Sequence, residues 1–162
     1  LVVAWLAGVG IPLVARGLAT GDARSAVAAL LLGGTTLTAA FCALAAWIAV
    51  RVDDRLRGLG MAIALWLALA LLYDGVVLVL VAMFGDRSIE PGILVLMALN
   101  PIDLTRVLIL TQLDAAALLG YTGALFRQAF SGAGVSLATL ALGAWIAIPL
   151  WFASRAFQRK DF

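Results

Sequence analysis

Residues 25–50 read SAVAALLLGGTTLTAAFCALAAWIAV without one charged side chain, and Arg51 closes the run. A helix needs about 20 mostly apolar residues to cross a bilayer. Residues 128–154 form a second uncharged run of that kind, and 58–84 a third, broken only by Asp74. The expected fold is therefore all-α, a polytopic bundle of transmembrane helices. Periodicity matters less here than length, because a span faces hydrocarbon on most sides.

Composition agrees. Hydrophobic residues make up 65% of the chain and charged ones 12%, with a mean hydropathy of +1.13, which no soluble domain of this size needs. A net charge of +2 is too small to point to a nucleic-acid partner. There is no His, and the single Cys42 lies inside an apolar run. These facts argue against a zinc or copper cluster, a disulfide within the chain, and most catalytic constellations. No phosphate-binding Gly-Lys-Ser/Thr loop is present, so no resident cofactor or enzymatic activity is expected.

Four spans are expected within a single transmembrane domain, 1–162: about 1–15, 26–50, 60–84 and 134–154. The first is short and begins without Met, which reads as the end of a span whose start is missing from a C-terminal portion. The connections 16–25 and 51–59 are short, whereas 85–133 is long. Positive charge sets orientation. Arg51, Arg55 and Arg57 in one loop and Arg155, Arg159 and Lys160 in the tail fall on one side of a four-span chain. That side is assigned to the cytoplasm, giving a multi-pass inner-membrane protein with a cytoplasmic C-terminus.

The outer segment 85–133 is apolar rather than hydrophilic. Asn100-Pro101-Ile102-Asp103 reads as a helix start, with Asn at N-cap, Pro at N1 and Asp in the first turn. A second helix is expected near Asp114, with Ala116, Gly120 and Ala124 on a small-residue stripe. Re-entrant or interfacial helices are the preferred reading, and a fifth and sixth span the alternative.

Asp74 is the carboxylate placed well inside an apolar run, where charge is costly. It reads either as a site in a transport path, with Tyr73 as a hydrogen-bond partner, or as a structural carboxylate. Thr35, Thr36 and Thr38 are expected to bond their own helix or a neighbour. Trp47, Trp145 and Trp151 sit toward span ends, where indoles anchor in the headgroup layer. Arg51, Asp53, Asp54, Arg55 and Arg57 form a compact charged turn, either a docking surface or a solvated one.

The succession RVDDRLRGLG (51–60), LWLALALLYD (65–74), NPIDLTRVLIL (100–110) and GYTGALF (120–126), then a last span with a basic tail, resembles the ABC-2 type permeases, in particular the permease subunits serving nitrous-oxide reductase maturation. The resemblance implies six spans in the whole subunit and a homodimer of permeases. It also implies an ATP-binding cassette subunit (NosF-like) on the cytoplasmic face and a periplasmic protein (NosD-like) on the outer face. The implied cargo is copper or sulfur for the reductase. In that frame Arg51, Asp53, Asp54, Arg55 and Arg57 are candidate ATPase contacts, and Leu104, Arg106 and Leu108 candidate periplasmic contacts. The rivals are an ion-coupled carrier using Asp74 and a non-transporting membrane scaffold.

Overall fold

The computed structural model describes residues 1–20, 24–84, 95–112 and 133–158. Among these every regular element is helical. The first helix, α1, comprises Val2–Trp5, a π-helical turn Leu6–Gly10 and Ile11–Thr20. Helix α2 is Arg24–Arg51. Helix α3 comprises Arg55–Leu67, a π-helical turn Ala68–Leu72 and Tyr73–Phe84. A single helical turn at 95–98 precedes α4, Pro101–Gln112, and α5 is Ala133–Gln158.

Among the described residues three helices are long and apolar enough to cross a membrane, over Val27–Arg51, Arg55–Leu80 and Ser136–Gln158. The first and last run on past their expected C-terminal ends, and the middle one starts earlier, at Arg55, and ends earlier, at Leu80. The 51–59 loop contracts to residues 52–54, because Asp54 turns the chain and caps α3: its carboxylate accepts the Leu56 N–H at 2.9 Å. An N-cap carboxylate both satisfies an orphan donor and faces the positive end of the helix. Helical geometry thus absorbs Arg55 and Arg57, which composition had placed in a loop.

Helix α2 is the hub, packing against α1, α3, α4 and α5. It does so with small residues, Ala40 and Ala43, beside Leu44 and Ile48. Gly33 and Gly34 bring backbones closer still. A Cβ on Gly33 would stand 2.6 Å from Ile109 Cδ1 of α4, and one on Gly34 would stand 2.1 Å from the Trp5 ring of α1. Bare backbone at those two positions is what lets α4 and α1 seat on α2, the small-residue mode of membrane helix packing. Leu104 of α4 then packs with Ala138 and Leu142 of α5. Helix α3 presents Leu71, Leu72, Leu78 and Met83 outward, which in a span means toward lipid or another polypeptide.

Helices α2 and α5 carry their C-terminal ends together. Trp47 and Phe152 lie 6.2 Å apart, Arg51 stacks over Trp47 at 5.0 Å, and Arg155 stacks over Trp151 at 4.1 Å. Arg51 and Arg155, one from each basic stretch read from the sequence, thus share one end of the bundle.

Candidate functional site

Where α3 passes residues 95–112, three contacts trace the path of the chain. The Tyr73 hydroxyl donates to the Leu96 carbonyl. The Asn100 amide donates to the Leu69 carbonyl at 2.9 Å. Arg106 Nη1 lies 3.4 Å from Asp74 Oδ2. Along α3 the partners run 73, 69, 74, so the chain descends beside α3, reverses at Asn100 and climbs back. Residues 95–112 thus form a hairpin packed against α3.

Local sequence explains the reversal. Pro101 lacks an N–H and fits the first helical position. Asn100 Oδ1 accepts the Ile102 N–H at 3.0 Å, the expected N-cap. The same amide group donates to Asp103 Oδ2 at 3.0 Å. Asn100 is completely buried, and a buried amide is tolerated only when it is so satisfied. Its third bond reaches the π-helical turn of α3, where the Tyr73 N–H returns to the Ala68 carbonyl, one residue further back than in an α-helix. Such turns disturb the regular ladder, and they recur at functional sites. Trp145 Nε1 donates to the Ala98 carbonyl at 3.1 Å, tying the hairpin to α5. This makes Trp145, half-buried, a tether between α5 and the hairpin.

The charges converge on Arg106. Its guanidinium sits 3.4 Å from both Asp74 and Asp103, two carboxylates against one cation. Arg106 and Asp74 are partly exposed, whereas Asp103 is buried. Asp103 is braced by Arg106 and by the Asn100 amide.

The sequence-derived candidates separate accordingly. Asp74 finds its partner in Arg106, while Tyr73 bonds the hairpin backbone. Arg106 is exposed, but Leu104 is 1% exposed. Leu104 lies inside the bundle, away from any surface on which the resemblance had made it a candidate periplasmic contact; Leu108 is half-buried against the same cluster. Asp54 is committed to its cap and to Arg57 at 3.7 Å, and Arg51 to Trp47, while Asp53 and Arg55 are exposed. The helix near Asp114, its stripe and the GYTGALF motif lie outside the described residues. Asn100, Asp103 and Trp145 went unrecognised as site residues. Asp103 and Arg106, three apart on one helix, were the available signal.

A cavity of about 690 Å³ lies between α2, α4 and α5, with Thr35, Thr36 and Thr105 on its walls. Thr35 and Thr36 donate to the Leu31 and Leu32 carbonyls, Thr38 donates to Gly34 at 2.7 Å, and Thr105 donates to Pro101 at 2.7 Å. These hydroxyls are turned to their own helices, as the sequence suggested. Among the described residues no group of three His, Cys, Asp or Glu side chains is placed to hold a metal ion.

Comparison with known proteins finds a relative along nearly the whole chain. The chain is similar to an ABC transporter permease. It is 26% identical over 155 residues to the probable ABC transporter permease protein NosY of Stutzerimonas stutzeri. The match takes in 95% of the chain and 55% of NosY, so the chain spans about half the length of that relative. No protein-family model matches the chain. The likeness to NosY supports a permease-like transport subunit rather than a catalytic enzyme, and with the long apolar helices it suggests a multi-pass inner-membrane protein.

Proposed function

We propose that this chain is the permease portion of an ABC transporter, inert as an enzyme and driven by a separate ATP-binding cassette subunit. The observation that carries the reading is the likeness to NosY along nearly the whole chain. The hairpin fits it. Asn100 and Arg106 fasten the hairpin to α3, while Leu104 and Trp145 fasten it to α5. The hairpin therefore relays motion between the two, and rocking of these packed bodies opens and closes a path between them.

The finer reading follows the same relative. The ATPase is NosF-like and engages the end carrying Arg51, Asp53, Asp54, Arg55 and Arg57, which is the cytoplasmic end together with the C-terminus. A periplasmic NosD-like protein meets the opposite end, where Arg106 is exposed. Two permeases form a homodimer, and the cargo is copper or sulfur for nitrous-oxide reductase maturation. With few soft or imidazole ligands in the chain, copper would pass as cargo on its partners rather than rest here.

Co-purification of the full-length tagged protein from native membranes tests this. An ATP-binding subunit near one-to-one supports the permease. Its absence from an intact permease preparation, with uptake lost in Asp74→Asn, favours the ion-coupled carrier. Function that persists when the partner ATPase is inactivated favours the scaffold.

A further inference from the structure

At the Arg51 end of the bundle a groove of about 410 Å³ runs between α2, the 95–98 turn and α5, lined among others by Trp47, Leu99, Trp145, Ile148, Pro149 and Phe152. Its walls are almost wholly carbon. Leu99, Ile148 and Phe152 are exposed, so it opens sideways, toward hydrocarbon in a membrane. Trp47 contributes a buried indole N–H that has no hydrogen-bond partner among the described residues, an arrangement native proteins usually avoid. One helical turn beyond the groove, Arg51 stacks over Trp47 and Arg155 over Trp151. Stacking through the ring face leaves the in-plane N–H fork of each guanidinium directed to an acceptor.

We propose that this groove holds an acyl chain of an anionic phospholipid whose phosphate is bound by Arg51 and Arg155. An apolar groove with arginines a turn beyond it matches the chain and the phosphate of such a lipid. A soluble anion would make no use of the groove. A purely apolar ligand would make no use of the two arginines or of the Trp47 N–H. Basic pockets between helices are established binders of anionic headgroups. In the adjoining turn Asp54 is held by its cap and by Arg57.

Tryptophan fluorescence of the full-length protein in phosphatidylcholine vesicles tests the assignment. The probe is a minor fraction of phosphatidylglycerol brominated on its acyl chains, against equally brominated phosphatidylcholine. The expected result is stronger quenching by brominated phosphatidylglycerol, with most of the difference lost in W47F. In R51Q/R155Q the preference should weaken by on the order of tenfold in apparent affinity. In A144F, whose ring fills the groove, it should vanish with both arginines intact and with helical content and melting unchanged. Equal quenching by the two lipids overturns the proposal, as does a preference that survives R51Q/R155Q. Disulfide cross-linking of A144C between two copies in native membranes, in a C42A background, would assign the groove to a subunit interface and also overturn it.

Discussion

The side-chain amide of Asn100 donates to the main-chain carbonyl of Leu69 across 2.9 Å, joining the apex of the hairpin to the π-helical turn of α3. One buried amide thus caps a helix, braces Asp103 and holds two elements 31 positions apart in sequence.

Replacing Asn100 by Leu keeps the branching of the side chain, adds volume and removes all three bonds. The cost is expected at about 2–3 kcal/mol, since a buried group left without its partner loses more than one hydrogen bond's net worth. Thermal unfolding in detergent should show the drop, with protease sensitivity rising first around residues 95–112. A melting point equal to that of the unsubstituted protein would mean that the hairpin is held without its apex.

The pair of Arg106 with Asp74 is partly exposed, and solvent screens it. A double-mutant cycle with Arg106→Gln and Asp74→Asn should give a coupling of only about 0.5–1 kcal/mol. A larger loss of transport than of stability in either single variant would place the pair in the moving parts rather than in the frame.

Gly34 sits against the Trp5 ring, and an indole cannot yield as the tip of an aliphatic chain can. Gly34→Ala should destabilise by about 1–3 kcal/mol through overpacking. Trp5→Ala should recover most of that loss in the double variant. Failure of the rescue would show that α1 seats on α2 by other contacts.

Arg51 and Arg155 share one end of the bundle. In a C42A background, single cysteines at positions 53 and 156 should react with a membrane-impermeant thiol reagent from the same side of sealed vesicles. Labelling from opposite sides would overturn both the packing of α2 with α5 and the orientation proposed above.

The sequence by itself determined the helices and one turn. Uncharged runs such as 25–50 have no alternative to helix in hydrocarbon, because each backbone group must be satisfied within its own segment. Asn100-Pro101 declared its helix start through chemistry local to a few residues. Asp74 stood out because charge at that depth is costly. Only the tertiary structure decided what those residues meet. Asp74 pairs with Arg106, Asn100 bonds Leu69, and Trp145 bonds Ala98, each across more than 30 positions. Leu104 turned inward for the same reason: apolar side chains look alike on a helix whether they face lipid, a partner or the bundle. Hydropathy records that a residue leaves water, and packing alone selects the surface it goes to.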